Sequence, residues 1–347
     1  MSRSTVFFLP GAAWNIPWTF VETIKRLLRN RNFLLVTALF VGLLRHDAAQ
    51  WSEPLVFPAL ALIMTLAVMD TLETAHLSVR MLLSYGTIGI LMNYAVHGSL
   101  LIGLSYLLIG DQALRAGFII LAAMPPAVAV VPFSAFLRGN SVATLMGTIG
   151  SYLGALALAP LVAFTFLGDH FVSPVRILRV IGELIAMPVI LAWILAHTPL
   201  SKRVHRYRGT VTNWSFFLIT YTIVGVNRHV FIEEPMSLLP LASIAFAGTF
   251  VLGWLIETFA KRARLARDMT VSMVLLGTLK NYGLSGGITL SFLDPRTAVP
   301  SAVSVIFMIL YILWLEYRQK SEANAPPAPS LLHPDTRSLQ NTERHSL

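Results

Sequence analysis

The chain has no cysteine and few charged residues: Asp, Glu, Lys and Arg together make up only 12% of its 347 residues. A soluble protein usually carries about a quarter of its residues charged. Without cysteine there is no disulfide framework, no thiolate zinc site and no catalytic thiol. A P-loop, an HExxH motif and a GxSxG motif are also missing from the sequence. ATP-driven pumping and the common hydrolase chemistries therefore lack their residues, and we predict that the protein is not an enzyme and has no metal site.

What the chain has instead is long apolar blocks, with 55% hydrophobic residues overall. Runs of roughly 18 or more apolar residues are typical of membrane-spanning helices. The sequence therefore predicts an all-α integral membrane protein with ten transmembrane helices. We place the spans at residues 33–46, 54–72, 84–109, 113–137, 140–167, 176–197, 211–228, 239–260, 268–293 and 298–317.

The net charge of +9 is concentrated on one side of these spans. Clusters at residues 202–208 and 261–267, and basic residues before the first and after the last span, share that side. The positive-inside rule then predicts that both termini are cytoplasmic, in a bacterial inner (plasma) membrane. Because the charges lie in short connections between spans, we read them as a topology signal and expect no nucleic-acid partner.

Four regions follow from this layout. Residues 1–32 are predicted to be a basic amphipathic segment on the cytoplasmic surface. Residues 33–167 and 168–317 would be two five-helix repeats, and residues 318–347 a disordered cytoplasmic tail.

Two of the ten spans are interrupted in mid-membrane. The fourth contains Met124-Pro125-Pro126, and the ninth contains Lys280-Asn281-Tyr282-Gly283. Adjacent prolines remove two backbone donors and forbid a continuous helix. The alternative is that prolines and glycines merely kink helices for packing. Paired breaks in corresponding positions instead favour a transporter site at the bilayer midplane.

The residues at the two breaks resemble those of the bile acid:sodium symporter family. In the fourth span, Met124-Pro125-Pro126 leads through Val130-Val131 to Arg138-Gly139-Asn140, where that family has a Cys-Pro-Gly-Gly-Thr-x-Ser-Asn-like break and an Arg-Gly-Asp/Asn turn. In the ninth, residues 276–285 (LGTLKNYGLS) stand where the family has Glu-Thr-Gly-x-Gln-Asn-Ser-Gly-Leu-Ala. The resemblance covers residues 33–317. It implies two inverted five-helix repeats with broken helices four and nine crossing. Helices three to five and eight to ten would form a core that moves against a panel of helices one, two, six and seven.

The chain departs from the family at the positions that hold sodium. The Ser-Asn pair becomes Val130-Val131, the Glu becomes Leu276 and the Gln of the ninth span becomes Lys280. Thr144 and Thr148 on the fifth span and Asn93 on the third remain. Valine and leucine side chains offer no oxygen to sodium, so we expect no sodium coupling by the family's usual sites.

Lys280 is the most informative residue of the chain. An ammonium near the bilayer centre costs about 2.5–3.5 kcal/mol on insertion scales, so it needs a partner or a cavity. It could replace sodium by satisfying the carbonyl ends of the broken helices, bind an anionic substrate directly, or release its proton and couple transport to protons. The alternative is a lysine that snorkels to the interface. The predicted binding residues are Lys280, Asn281, Thr144, Thr148, Asn93, Pro125, Pro126 and Tyr282.

These features predict a secondary active transporter of a small organic anion, surrounded by membrane lipid and without a bound cofactor. Half-helix N-termini at the breaks attract anions, which is why we expect a negatively charged substrate. Two alternatives stay open. One is a non-transporting membrane sensor or receptor on a degenerate transporter fold, and the other is a proton-coupled organic-acid exporter.

Overall fold

A computed structural model describes residues 27–28, 30–74, 78–127, 129–168, 179, 183, 187–188 and 190–324. Most of the predicted N-terminal segment, most of the sixth span and the tail beyond Asn324 lie outside these ranges. The described part of the chain is all-helical, as the sequence predicts.

Residues 190–196 are helical, and twelve further helices of six residues or more are described from end to end. They are α1 Arg31–Leu44, α2 Val56–Thr74, α3 Val79–Leu108, α4 Gln112–Ala123, α5 Val130–Phe136, α6 Ser141–Leu167, α7 Ser201–Val226, α8 Arg228–Glu233, α9 Pro235–Arg262, α10 Arg267–Thr278, α11 Tyr282–Phe292 and α12 Val299–Asn324. Short turns over His46–Ala48, Ala49–Ser52 and Glu53–Leu55 join α1 to α2, and a turn at Pro295–Ala298 precedes α12.

Within the described ranges, four helices are long and apolar enough to cross a membrane by themselves: α3, α6, α9 and the segment Pro295–Ser321 that includes most of α12. A fifth candidate is the pair Phe33–Leu44 and His46–Leu66, which meet at 93°, if that pair is counted as one span. The broken fourth and ninth spans do not reach this length because each is divided into two shorter helices. The protein is therefore an integral membrane protein, and the predicted count of ten spans remains a proposal.

Asparagine and aspartate side chains determine where several helices begin. Asp111 accepts a hydrogen bond from the Leu114 backbone N–H at 3.0 Å at the start of α4. Asn140 does the same for Ala143 at 2.9 Å at the start of α6. Such N-caps satisfy backbone donors that the first turn leaves unpaired. They let helices start sharply in short connections, which positions the breaks.

Two helices extend beyond the predicted spans. The helix α7 begins at Ser201, ten residues before the predicted span at 211, and α12 continues to Asn324, past 317. The basic cluster at 202–208 therefore lies on the first two turns of α7 rather than in a loop. Hydropathy marks where a helix leaves the apolar region, whereas the helix itself can continue because its backbone hydrogen bonds are internal.

The two halves carry matching irregularities. A π-helical segment, Leu91–Gly98, starts twelve residues after the beginning of α3 at Val79. A second one, Ala247–Val251, starts twelve residues after the beginning of α9 at Pro235. In each half a 12-residue half-helix, a break, a short helix and a long helix follow in that order. π-Helical turns inside α-helices are rare and occur frequently at functional sites.

Glycines allow α3 and α6 to pack unusually closely. A Cβ atom added at Gly89 would overlap the backbone of Gly147, and one added at Gly150 would overlap Gly86. Small residues at helix contacts are a common means of association in membranes, where backbones gain by close approach. This contact holds the π-helical part of α3 against the first break. The helices α1 and α2 both pack on α7, and α2 and α7 also contact α11.

An ion-pair cluster joins three loops at one end of the molecule. Arg296 donates from Nε to Asp111 at 2.9 Å, and from Nη1 and Nη2 to the two Glu234 carboxylate oxygens at 2.9 and 2.7 Å. Asp111 precedes α4, Glu234 precedes α9 and Arg296 precedes α12. The bidentate geometry fixes these three helix starts relative to one another.

Candidate functional site

The two broken helices meet at their breaks. Pro126 and Lys280 form an isolated antiparallel bridge. The Ala127 N–H donates to the Leu279 carbonyl at 3.1 Å, and the Asn281 N–H donates to the Pro125 carbonyl at 2.9 Å. Because Pro125 and Pro126 have no N–H to continue a helix, the chain is extended here and its remaining backbone groups pair with the other break.

The Lys280 side chain adds two hydrogen bonds to this crossing. Its Nζ donates to the Ala122 carbonyl at 2.7 Å and to the Met124 carbonyl at 2.9 Å. The side chain is fully buried, at 0% exposure. Nζ also lies 4.8 Å from the centroid of the Tyr94 ring, in cation–π geometry. The side chain therefore does not snorkel to the interface.

The position of this ammonium matches the local electrostatics. The carbonyls of Ala122 and Met124 belong to the C-terminal end of α4, which carries the negative end of the helix dipole. Helix interruption leaves such carbonyls without backbone donors. The buried Lys280 ammonium offsets both the negative charge of the helix end and the missing backbone donors. It does so through two charge-assisted hydrogen bonds, and its contact with the Tyr94 ring adds a cation–π interaction.

Asn93 lies beside Lys280 and uses the same acceptor. It is fully buried in the π-helical segment, and its Nδ2 donates to the Met124 carbonyl at 3.1 Å. Its Oδ1 has no hydrogen-bond partner, and neither does Nδ1 of the buried His97 four residues later. The crossing is thus lined on its α3 side by polar atoms with unused hydrogen-bonding capacity.

Asn281 and Tyr282 organise the start of α11. The Asn281 side chain accepts from the Leu284 N–H at 3.0 Å, capping the helix, and donates from Nδ2 to the Tyr152 hydroxyl at 2.9 Å. Tyr282 donates from its hydroxyl to the Thr278 carbonyl at 3.2 Å. Asn281 thereby ties the second break to α6, so that its conformation is held from two sides.

The two threonines make different contacts. Thr144 donates to Ser134 Oγ at 2.8 Å and to the Asn140 carbonyl at 3.0 Å, and Thr148 donates to the Thr144 carbonyl at 2.7 Å. These hydrogen bonds link α6 to α5 and to its own backbone. In the described part of the chain, the hydrogen bonds bring Asn93, Pro125, Pro126, Asn281 and Tyr282 into one group with Lys280, but not the threonines.

The hydrophobic residues that the sequence analysis aligns with the family's sodium ligands pack as core side chains. Val130 is 0% and Leu276 is 1% exposed, and both belong to one buried apolar cluster. Val131 is partly buried against the same cluster. Their side chains supply contacts between α5 and α10 rather than oxygen ligands.

A small cavity of about 30 Å³ adjoins the crossing. One wall consists of α1, α2 and α7, with Leu60 and Thr220 among its residues. The opposite wall includes Asn281, Tyr282 and Gly283 at the start of α11. This volume holds a water molecule or two but no organic ion. A larger solute would fit between the two walls only if they separated.

Several participants escaped the sequence analysis. Tyr94 and Tyr152 lie within long apolar stretches, where a tyrosine is most often simply part of the core. The sequence holds one weak indication of a role for Tyr94, which is that it directly follows Asn93. The acceptor carbonyls of Ala122 and Met124 are backbone groups, and no side-chain pattern reports them.

The comparison with protein families supports the resemblance seen at the breaks. A model of the sodium bile acid symporter family matches residues 55–231, just over half of the chain. The match extends from α2 into α8 and includes the first break, while Lys280 and the second break lie beyond it. Among curated proteins, none matches the chain. The chain belongs to the sodium bile acid symporter family, whose members are transporters.

Proposed function

We propose that this protein is a secondary active transporter of a small organic anion in which the Lys280 ammonium replaces a coupling ion. Family membership indicates a sodium-coupled transporter in general. The observation that carries the specific proposal is the position of Nζ, fully buried at 2.7 and 2.9 Å from two carbonyls at the end of a broken helix.

The architecture supports alternating access with ten spans in two inverted repeats. The matched π-helical segments and the matched breaks give each half the same order of elements. The packed group of α1, α2 and α7 would be the panel, and the helices around the two breaks would be the core. The cavity at their boundary is where such a movement would expose a midplane site.

The anionic substrate follows from the polarity of the cavity wall. The N-terminal end of α11, at Tyr282 and Gly283, borders the cavity, and a helix N-terminus favours negative charge. The Lys280 ammonium donates its hydrogen bonds to the carbonyls at the end of α4. It would therefore attract the substrate through its electric field rather than by direct contact. An otherwise apolar cavity suits a solute with a hydrocarbon part.

Two sequence differences support the replacement of sodium: a positive charge is gained and side-chain oxygens are lost. Lys280 supplies the positive charge, and Val130, Val131 and Leu276 offer no side-chain oxygen. Proton-coupled export is the second candidate, because Asn93 and His97 place unpaired polar atoms at the crossing that suit proton movement. Measured solute transport would exclude the sensor alternative.

The experiment compares wild type with Lys280→Gln in proteoliposomes, with the exposed Lys202→Gln as matched control. Uptake of radiolabelled carboxylates and sulfonates is measured with sodium replaced by potassium, and with or without a pH gradient. We expect wild-type transport that is independent of sodium and lost in Lys280→Gln but not in the control. Sodium-dependent wild-type transport would refute the replacement of the ion. Dependence on the pH gradient would favour the proton-coupled alternative.

A further inference from the structure

A second cavity, separate from the crossing, opens at the ends of α9, α10 and α12. Its volume is about 330 Å³, ten times that of the cavity at the crossing. Leu265, Val271 and Leu315 are among its apolar walls, while its charged side chains come from the helix ends. Because apolar and charged side chains line the same cavity, a bound molecule has to contact both.

The charged lining has an excess of positive charge. Lys261, Arg267 and Arg318 are set against a single carboxylate, Glu257, which leaves a net charge of +2. Arg318 binds Glu257 in a bidentate manner at 2.8 and 2.9 Å, and Lys261 Nζ lies 2.7 Å from the same carboxylate. Glu257 therefore offsets one of the three positive charges, and its carboxylate competes with an anionic ligand for Lys261 and Arg318.

The start of α10 adds a further positive contribution. Arg267 is the first residue of this helix and lines the cavity together with Thr270, one turn later. The N-cap residue is Ala266, whose side chain cannot accept a hydrogen bond from the first turn. The partial positive charge of this helix end lies on the same side as the basic side chains, and Asp268 in the first turn, outside the cavity lining, offsets part of it.

The surroundings of the cavity are those of a membrane surface. It lies at the ends of two membrane-span candidates, α9 and Pro295–Ser321, next to the basic turn that joins α9 to α10. Phe259, between the lining residues Glu257 and Lys261 on α9, and Leu310, five residues before Leu315 on α12, are 64% and 50% exposed. Apolar surface of this kind faces acyl chains in a bilayer.

We propose that this cavity binds the headgroup of an anionic phospholipid, with its phosphodiester at Lys261, Arg267 and Arg318. The net charge of +2 attracts the phosphate, and the apolar walls accept the glycerol backbone and the first acyl carbons. A free, soluble phosphate would match the charges but leave the apolar walls exposed to water. Basic pockets between membrane helices are suited to such lipids. This site is independent of the proposed transport function.

The test measures thermal stability of the full chain in a neutral detergent during titration with phosphatidylglycerol, phosphatidylcholine or inorganic phosphate. We expect stabilisation by phosphatidylglycerol only. The Lys261→Gln/Arg267→Gln double variant should bind it roughly 30-fold more weakly, about fivefold for each charge removed. Lys202→Gln/Arg203→Gln, which removes two basic residues elsewhere, is the matched control and should bind as wild type does.

A variant with the opposite expected sign keeps a folding defect from imitating lost binding. Glu257→Gln raises the net charge of the lining to +3 and should strengthen phosphatidylglycerol binding. Weaker binding in this variant, equal stabilisation by both lipids, unchanged binding in the double variant, or a full effect of inorganic phosphate alone would each overturn the proposal.

Discussion

The ammonium of Lys280, from the second broken helix, lies 2.7 Å from the carbonyl oxygen of Ala122, in the first. One side chain thus joins the interruptions of both halves, beside the backbone hydrogen bonds between Asn281 and Pro125 and between Ala127 and Leu279. The Lys280 side chain is covalently part of the chain, so unlike a bound ion it cannot leave the crossing.

Replacing Lys280 by Met should destabilise the protein by about 1–3 kcal/mol, because the buried Ala122 carbonyl loses the Lys280 donor, whereas the Met124 carbonyl keeps its hydrogen bond from Asn93. Chemical unfolding in detergent measures the change in free energy. The exposed Lys202→Met is the control and should change stability little. Equal stability of Lys280→Met and wild type would mean that the Ala122 carbonyl finds another donor.

Replacing Asn281 by Ala should cost about 2–3 kcal/mol, since it removes both the N-cap of α11 and the hydrogen bond to Tyr152. Tyr152→Phe removes the second contact together with the weak hydrogen bond from the hydroxyl to Met64 Sδ at 3.6 Å. A double-mutant cycle between the two should give a coupling energy of about 1 kcal/mol. Additive effects would contradict a direct Asn281–Tyr152 interaction.

Replacing Gly89 by Ala should destabilise the packing of α3 on α6 by about 1–3 kcal/mol, because the added methyl group overlaps the Gly147 backbone. Gly103→Ala, on the same helix, meets no atom within 4 Å and should be neutral or slightly stabilising. Thermal unfolding of both variants provides the comparison. Similar melting temperatures would show that the two helices separate at little cost.

The Arg296 cluster predicts a dependence of stability on pH. Hydrogen bonding to Arg296 lowers the pKa of Glu234. Burial acts to raise the pKa of Asp111, but hydrogen bonds from Leu114 and Arg296 outweigh it, and that pKa is lowered too. A carboxylate with a lowered pKa stabilises the fold above its unfolded-state pKa, and this contribution is lost as the pH falls through the folded-state value.

Wild type should therefore lose stability between about pH 5 and about pH 3. Arg296→Gln should be less stable than wild type at pH 7, and the difference should shrink over that range. Melting temperatures of both proteins across the pH series test this. A constant difference down to pH 3 would exclude the two carboxylates as its source.

Much of the fold was predictable because apolar length and backbone chemistry are visible in the sequence. Pro125 and Pro126 cannot continue a helix, and α4 ends at Ala123 as they require. The second break was predictable from Lys280 and Asn281, since polar residues in mid-membrane need partners. Helix ends at Ser201 and Asn324 were not, because solvated turns keep their internal hydrogen bonds without any hydrophobic signal.

The partners within the site were harder to predict than the site itself. Lys280 was identified from its charge, but its acceptors at Ala122 and Met124 are backbone carbonyls whose orientation depends on the tertiary crossing. Thr144 and Thr148 have the right hydroxyls, but these are used for hydrogen bonds at the start of α6. The π-helical segments that bring Asn93 and Tyr94 to the crossing have no sequence signature that we recognised.

In the transport cycle proposed above, the charge of Lys280 would make one step depend on membrane voltage. If Lys280 stays charged, a core loaded with a monovalent anion is neutral overall, whereas the empty core carries one positive charge. Membrane voltage then changes the energy of moving the empty core and not that of moving the loaded core. The change is at most about 2.3 kcal/mol per 100 mV, for a charge that crosses the whole field. Imposing a potassium-diffusion potential on proteoliposomes should therefore change the rate of return of the empty carrier and leave anion exchange unaffected.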